Sequence, residues 1–373
     1  MASHRGQWMV RMPRAGTFPF SSLVTFGRLH SKHRLLGSHH NSLLLDGSRG
    51  VMNNRKLVLG TSIWFLLAGI LACGGASGPV PTSTTMPERL DREALIPKNA
   101  VKMSPDTDEN PPQLYSDQFE PPVPVPGGVN TAGAEDSVFI TPDGNTMYFF
   151  FTPDVNIPVE KQILDGVTGL YVSQKHDGIW GRPERIMLQD PGLLAMDGCE
   201  FVQGNVIWFC SVREGYTGIH WFTAEFQHGK WENWVNADFD PEYQVGELHL
   251  SPDGRELYFG SEKPGGKGGL DIWVSELVDG IWGEPINIAV LNTPEDEGWP
   301  ALNPAGDELW ITRNLGVWRS KRVNGEWQEP ELIVSPLAGE ASLDAQGNVY
   351  FVHHYYVDGK MIEADIYVAY RKK

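Results

Sequence analysis

The sequence predicts an all-β protein of many short strands joined by tight turns. Its 373 residues include 13 Trp, 11 Tyr and 16 Phe beside 41 Gly and 27 Pro. Aromatic residues favour strands, whereas Gly and Pro favour the turns between strands. A second observation is a recurring stretch in which apolar and polar residues alternate, and this alternation is typical of a half-buried strand.

The recurring stretch occurs five times. The clear copies are "ITPDGNTMYF" (140–149), "LSPDGRELYF" (250–259) and "LNPAGDELWI" (302–311), and the degenerate copies are "FVQGNVIWF" (201–209) and "LDAQGNVYF" (343–351). In the clear copies Pro presets the backbone for a turn, and Gly supplies the left-handed conformation that ends it. Each copy is therefore predicted to be two strands joined by a tight turn.

A second signature follows each copy, because apolar residues alternate again before another turn, as in "DIWVSELVDGIWGEP" (271–285). The turn tryptophans Trp180, Trp231, Trp282 and Trp327 are spaced 51, 51 and 45 residues apart. A period of about 40 to 50 residues that contains four strands is typical of a β-propeller blade. We therefore predict a β-propeller of five blades, each with four antiparallel strands.

The last predicted blade lacks its outer strand, because the fifth repeat ends at Lys373 after a third strand. The segment "FEPPVPVPGGVNTAGAED" (119–136) is similar to "EPINIAVLNTPEDEG" (284–298), which spans the fourth strand of one repeat and the start of the next. Both contain Glu-Pro, then Asn-Thr, then a Glu four residues after the Thr. We predict that an amino-terminal strand completes the last blade and closes the propeller.

The combination of "DIWVS", "DGIWGEP", "LNTPEDEGWPALNPAGDELW" and "SPDGRELYF" resembles the TolB-type propeller repeat of bacterial envelope proteins, a relative of WD repeats. The resemblance covers residues 113–373, and the second and fifth repeats depart from it because they lack the Pro-Asp-Gly turn. It implies a rigid periplasmic or surface-exposed scaffold that binds other envelope components.

The amino-terminal part is predicted to be a targeting and tether region. Within residues 52–72, two basic residues precede an apolar run that is too short to span a bilayer comfortably. The following "ILAC" (70–73) resembles a lipobox and implies a bacterial lipoprotein with a lipid on Cys73; an uncleaved membrane anchor is the alternative.

Residues 73–112 are predicted to be a flexible tether. Residues 1–51 are predicted to be a mis-annotated upstream extension or a disordered leader. These expectations place a monomer in the cell envelope, as an outer-membrane lipoprotein that faces the periplasm or the cell surface.

The charge excludes nucleic acid as a partner. The net charge is −17, and residues 1–72 hold nine of the 30 basic residues but only one of the 47 acidic ones. The rest of the chain therefore carries 21 basic and 46 acidic residues, a charge of −25 that repels nucleic acid. The common metalloprotease, hydrolase and redox motifs are absent, so no cofactor and no metal are predicted.

Two cysteines, Cys199 and Cys210, fall on the predicted inner strands of the second repeat. They face each other if Gly204 and Asn205 form a two-residue turn, and they are offset if the turn is longer. A disulfide and a pair of buried thiols therefore both remain open.

Acidic residues enter successive inner strands, which rim the central channel of a propeller. Alignment on the turn glycine places Asp197, Glu247 and Glu340 at one position, with Ser137 and Trp299 in the other two repeats. Asp136 and Glu297 lie one and two residues earlier in their repeats, and His249 shares a strand face with Glu247. The candidate binding residues are Glu247, His249, Glu297, Trp299 and Glu340, and the candidate catalytic residues are Asp136, Asp197 and Glu247.

Two functions fit this pattern. The favoured one is non-catalytic binding of an envelope protein or a cell-wall glycan, with the acids hydrogen-bonded to backbone amides where strands begin. The alternative is a carbohydrate-active hydrolase or lyase, because five-bladed glycoside hydrolases, which this arrangement resembles, use converging carboxylates. Carboxylates tied to backbone amides favour binding, whereas an accessible carboxylate pair favours catalysis.

Overall fold

The computed structural model describes residues 90–240 and 243–373 of the chain. The predicted leader, signal peptide, lipidation site Cys73 and first half of the tether lie outside these residues. Within the two described ranges, no helix is long and apolar enough to cross a membrane. The regular secondary structure of the described part is nearly all β, in agreement with the predicted fold class.

The amino-terminal segment contributes two short strands and one helical turn. They are a 3-10 helix at Arg92–Leu95, β1 at Gln113–Leu114 and β2 at Val123–Pro124. Strand β2 pairs antiparallel with the last strand of the chain, with Val123 opposite Val368. The amino-terminal segment thus supplies an outer strand to the fifth repeat.

Each of the first two repeats folds into an antiparallel sheet. The first repeat contains β3 (Ala134–Ile140), β4 (Thr146–Thr152), the short helix α1 (Val159–Gln162), β5 (Gly169–His176), β6 (Ile179–Trp180) and β7 (Glu184–Arg185). The second repeat contains β8 (Ala195–Gln203), β9 (Val206–Arg213), β10 (His220–Gln227) and β11 (Lys230–Asn236).

The remaining three repeats follow the same order of strands. The third contains β12 (Val245–Leu250), β13 (Glu256–Ser261), β14 (Asp271–Val278), β15 (Ile281–Trp282) and β16 (Ile286–Asn287). The fourth contains β17 (Glu297–Leu302), β18 (Glu308–Arg313), β19 (Gly316–Val323), β20 (Glu326–Trp327) and β21 (Glu331–Ser335). The fifth contains β22 (Ala338–Leu343), β23 (Val349–Val357) and β24 (Lys360–Ala369).

The first strand of each repeat lies beside the first strand of the next. Strand β3 contacts β8, β8 contacts β12, β12 contacts β17, β17 contacts β22, and β22 contacts β3. A single parallel bridge between Ala364 and Ala134 also joins β24 to β3, so the first and fifth repeats share one sheet.

The core lies between the sheets, and the second strand of each repeat contributes large apolar side chains to it. Equivalent positions in these strands hold a residue at most 1% exposed, namely Phe149, Phe209, Phe259, Ile311 and Phe351. Burying each such side chain contributes about 1.5 to 3 kcal/mol. The second strands are buried on both faces, whereas the sequence pattern predicts alternate burial: Leu257, Tyr258 and Phe259 are 0%, 1% and 0% exposed.

The segment similarity used to predict closure has a physical cause. Glu135 accepts hydrogen bonds from the backbone N and Oγ1 of Thr131, and Glu297 accepts the same pair from Thr293. The preceding residues, Asn130 and Asn292, bond with their side chains to the backbone N and C=O of a neighbouring third strand. The shared Asn-Thr and Glu thus make the same junction in both places.

Residues 90–112 differ from the tether that the sequence predicts, because they pack against the sheets. Arg92 is 5% exposed and donates to Glu135 Oε1 at 2.9 Å and to the carbonyl of Val129 at 2.5 Å. Lys102 pairs with Glu363 and Asp365, and Asp108 pairs with His353. Isolated polar residues hold this segment in place, so no apolar periodicity marks it in the sequence.

We expect Arg92→Ala to destabilise the full-length chain by about 3 kcal/mol, because it leaves the carboxylate of Glu135 buried without its cation. The matched control is Arg182→Ala, which removes an ion pair to Asp91 whose side chains are 75% and 52% exposed. We expect the control to stay within about 0.5 kcal/mol of the unmodified chain. Urea unfolding measures both, and equal effects of the two substitutions would show that residues 90–112 are not anchored.

Candidate functional site

Three consecutive residues in the first strand of each repeat line a narrow central cavity. The first of the three is Ser137, Cys199, Glu247, Trp299 or Glu340 in the successive repeats. Each lies where the first strand carries one extra residue relative to the second. Four of them have φ between 51° and 57°, a left-handed conformation that non-glycine residues rarely adopt. The repeated bulge therefore sets the position that meets the channel.

This alignment corrects one sequence-predicted position. The hairpin of the second repeat turns at Gly204 and Asn205, between paired Gln203 and Val206, and is two residues shorter than the hairpin of the first repeat. Alignment on the turn glycine therefore shifts the second repeat by two residues. Cys199, and not Asp197, occupies the position of Glu247 and Glu340.

Asp136, Glu340 and His354 form a buried cluster in which their ligating side-chain atoms all lie within 4.8 Å of one another. The three residues are 4%, 7% and 8% exposed. The backbone N of Ser137 donates to Asp136 Oδ1 at 3.1 Å and to Glu340 Oε2 at 2.7 Å. The His354 Nε2 lies 3.8 Å from Asp136 Oδ1, while its Nδ1 lies 3.4 Å from the carbonyl of Leu337. The cluster joins β3 to β22 and β23.

The pKa values of the two carboxyl groups of the cluster are displaced in opposite directions. Burial and the charge of Asp136 raise the pKa of Glu340 well above its ordinary value. Burial alone would also raise the pKa of Asp136, but hydrogen bonding and the charge of His354 hold it below its ordinary value. Glu340 is therefore the carboxyl group that holds a proton most readily beside an ionised Asp136.

Two more acids lie beside the cluster. Glu247 is partly exposed to the cavity, and burial together with the charge of Asp136 raises its pKa to about 7. Glu200, which was not singled out from the sequence, lines the same cavity and is 6% exposed. Within the described part of the chain neither of its carboxylate oxygens has a hydrogen-bond partner, and burial raises its pKa well above the ordinary value.

Two of the predicted site residues are instead held by arginines. Asp197 accepts from Arg213 at 2.9 Å and from Ser211 Oγ at 2.7 Å, and Glu297 pairs with Arg313 at 2.8 Å. Burial raises the pKa of both acids against the effect of these partners. Asp197 and Glu297 therefore stabilise strand ends and lie outside the cluster.

His249 packs on aromatic rings and does not join the acids. Its ring centroid lies 4.3 Å from that of Phe201, and its Nδ1 lies 2.9 Å from the carbonyl of Leu250. Burial lowers the pKa of His249 to about 4. The imidazole is therefore neutral near pH 7.

Cys199 and Cys210 are free buried thiols whose sulfur atoms lie 2.7 Å apart. The Cys210 thiol and burial raise the pKa of Cys199 well above its ordinary value. Both thiols line a second small cavity, which also contacts Asp136, Glu247 and Glu340. A thiol with a raised pKa is a poor nucleophile, so Cys199 is not activated for catalysis.

The two central cavities have volumes of only about 40 Å³ and 30 Å³. A third cavity, of about 530 Å³, lies at the start of β10 and the loop that precedes β12. Its lining includes His220, Trp221, Asp238, Asp240 and Tyr243. His220 Nδ1 lies 2.6 Å from Asp238 Oδ2, and Lys263 Nζ lies 4.9 Å from the ring centre of Tyr243. This cavity has the size of a small-ligand site.

The sequence identified the acids of the first strands but missed His354 and the large cavity. His354 belongs to "VYFVHHYYV" (349–357), where two polar residues interrupt an apolar strand. That interruption was the available signal. The residues around the large cavity follow the second repeat's divergent hairpins and carry no recognisable motif.

Comparisons with known proteins assign no family to the chain. No family model matches the sequence, and no curated protein matches it. Similar solved structures include a putative TolB from Agrobacterium tumefaciens, at 18% identity, covering 73% of this chain and 89% of that one with a TM-score of 0.38. An endo-arabinase from Bacteroides thetaiotaomicron is 14% identical, with coverages of 67% and 98% and a TM-score of 0.44. A gluconolactonase from Xanthomonas campestris is 10% identical, with coverages of 70% and 95% and a TM-score of 0.39. The structural neighbours are thus TolB-like and other propeller proteins at low identity.

We expect acidification from pH 7 to pH 5 to destabilise the unmodified full-length chain more than the His249→Gln variant. The folded-state pKa of His249 is about 4, below its ordinary value of 6.5, so the unfolded chain binds the proton first as the pH falls. Because the side chain is partly exposed, the difference is about 1 kcal/mol, less than the full shift implies.

Urea unfolding at both pH values measures this difference. The exposed His228 offers the matched control, since His228→Gln changes an imidazole that is not buried. An unchanged pH dependence in His249→Gln would mean that the imidazole is not held neutral.

Proposed function

We propose that this protein is a non-catalytic binding scaffold of the bacterial cell envelope, a five-bladed propeller that binds a cell-wall glycan or an envelope protein. The observation that carries the proposal is that the clustered carboxyl groups do not border the ligand-sized cavity. The clustered carboxyl groups border cavities of about 40 Å³ and 30 Å³, whereas the ligand-sized cavity of about 530 Å³ lies elsewhere.

Two contacts support a closed ring of five blades. The first strands of the five repeats contact one another in order, and β22 contacts β3. Strand β2 pairs with β24, so the last repeat receives its outer strand from the amino-terminal segment. A ring closed in this way has no free sheet edge between its first and last blades.

Four acids at the first strands accept hydrogen bonds from the backbone. Asp136 and Glu340 accept from the backbone N of Ser137, and Glu135 and Glu297 accept from the backbone of a threonine. A cavity of about 40 Å³ is far below the roughly 300 to 1,000 Å³ of small-ligand sites. A sugar ring does not fit there, which favours binding at another surface.

The cavity beside β10 has the features that bind a polar ring compound. Its lining combines the aromatic residues Tyr243 and Phe239 with the acids Asp238 and Asp240, which bond His220 and Lys263. Small-ligand sites have volumes of about 300 to 1,000 Å³, a range that includes this cavity. Of the two proposed partner classes, a neutral glycan is favoured here.

The alternative function, a carbohydrate-active hydrolase or lyase, is supported by one observation. The pKa values of Asp136 and Glu247 are displaced in opposite directions, as in acid–base pairs of enzymes. However, its third proposed catalytic residue, Asp197, is held by Arg213. The alternative is therefore the weaker of the two.

Attachment to the membrane through a lipid on Cys73 remains part of the proposal. A lipid at the end of a tether would hold the propeller at the outer membrane, facing the periplasm or the cell surface, without a transmembrane helix. The resemblance of "ILAC" (70–73) to a lipobox supports it. Nucleic acid is not a proposed partner, because the acidic chain repels it.

We expect soluble peptidoglycan fragments to bind the full-length chain and Tyr243→Ala to weaken that binding at least tenfold, because the substitution removes an aromatic face of the cavity. Tyr115→Ala, at a tyrosine 57% exposed elsewhere, is the matched control. Isothermal titration calorimetry measures both affinities. Equal binding by the two variants would place the glycan outside this cavity.

Glu247→Gln separates binding from catalysis, since it removes the most accessible acid of the central cavity. We expect it to keep the affinity within twofold, and we expect no fragment to be cleaved by either chain. Cleavage by the unmodified chain that Glu247→Gln abolishes would contradict the proposal and establish the hydrolase.

A further inference from the structure

The acids of the first strands divide into two groups by their partners. Three of them each meet a buried arginine, and the pairs are Glu135 with Arg92, Asp197 with Arg213, and Glu297 with Arg313. Asp136 and Glu340 differ, because within the described part of the chain they meet only His354 among basic side chains. The cluster therefore contains two carboxyl groups and one imidazole but no arginine.

A second observation at the same place points to a missing cation. Glu200 is 6% exposed, lines the cavity that Glu340 and Glu247 line, and has no partner for either carboxylate oxygen among the described residues. An unpaired buried acid costs several kcal/mol unless it is neutralised. A cation beside this cavity, bound through Glu340, would offset the negative charge of the acids around it.

His354 has the arrangement of a metal ligand. Its Nδ1 lies 3.4 Å from the carbonyl of Leu337, the kind of contact that orients a metal-binding imidazole, and its Nε2 faces the acids. The Nε2 lies 3.8 Å from Asp136 Oδ1, too far for a strong hydrogen bond. Metal bonds of about 2.0 to 2.2 Å place two ligands of one ion up to about 4 Å apart, so shifts of about 1 Å or less bring the three side chains onto one ion.

We propose that Asp136, Glu340 and His354 bind one divalent transition-metal ion, of the Zn²⁺ or Mn²⁺ class, at the centre of the protein. Two carboxylates and one imidazole suit these ions, whereas Ca²⁺ and Mg²⁺ prefer oxygen ligands alone. The sequence analysis expected no metal, because Asp136, Glu340 and His354 are far apart in the chain and form no motif.

The ion joins the two ends of the repeat array. Asp136 lies on β3 in the first repeat, and Glu340 and His354 lie on β22 and β23 in the fifth. An ion that binds the folded chain but not the unfolded chain raises the thermal stability of the protein. The metal ion thus links the first repeat to the last, in addition to the pairing of β2 with β24.

The test uses the tag-free full-length chain, because a polyhistidine tag binds the same ions. The chain is stripped with a chelator, freed of it, and titrated separately with Zn²⁺, Mn²⁺ and Ca²⁺. We expect one Zn²⁺ or Mn²⁺ per chain and a rise in Tm of about 5 °C at saturation. We expect His354→Gln to weaken binding at least tenfold and His228→Gln to leave it unchanged.

A spectroscopic arm covers the case in which His354→Gln does not fold. Co²⁺ is added to the stripped unmodified chain, and we expect visible absorption typical of four- or five-coordinate Co²⁺ with a nitrogen ligand, displaced by one equivalent of Zn²⁺. Absence of Zn²⁺ and Mn²⁺ binding, binding unaffected by His354→Gln, or binding of Ca²⁺ alone would overturn the proposal.

Discussion

The burial of acids where the first repeat meets the fifth is the constraint on which the rest of this structure depends. Asp136 and Glu340 share the backbone N of Ser137, so the carboxyl groups of two repeats lie close together in a narrow channel. Charges in such a place must be offset by protons, by cations or by fixed donors. The raised pKa of Glu340 and the lowered pKa of Asp136 show how the protein without an ion distributes one proton between them.

The backbone of the first strands is a second feature of the channel. A bulge in each strand carries an extra residue, and in four repeats that residue adopts a left-handed conformation that costs about 1 kcal/mol. The conformation places one side chain from each repeat on the cavity. Sheet packing on either side of the channel holds the strained residues, and the buried aromatic row on the second strands supplies that packing.

Much of the fold could be predicted from the sequence, because turn chemistry and alternation repeat along the chain. The Asn-Thr and Glu shared by residues 130–135 and 292–297 even marked a junction that reappears as matching hydrogen bonds. The site was harder to predict, because it depends on which residues of the paired strands lie opposite each other. A hairpin two residues shorter places Cys199 and not Asp197 at the channel, and the sequence left the shorter and the longer turn both open. Arg92 and His354 act as single residues that pair across long sequence distances, so periodicity does not detect them.

In this account the protein binds its glycan in the cavity beside β10, and the charge of the acids is neutralised separately, at the central cluster. The large cavity beside β10 has room and exposed polar groups, whereas the central cluster has neither. The most direct measurement of the central claim is a crystal structure of the tag-free chain grown with Mn²⁺ or Zn²⁺, with anomalous diffraction recorded at the metal edge. The account requires one anomalous peak about 2.0 to 2.3 Å from Asp136, Glu340 and His354 in a closed ring of five blades. A channel without a peak, in which Asp136 and Glu340 share a proton, would contradict it.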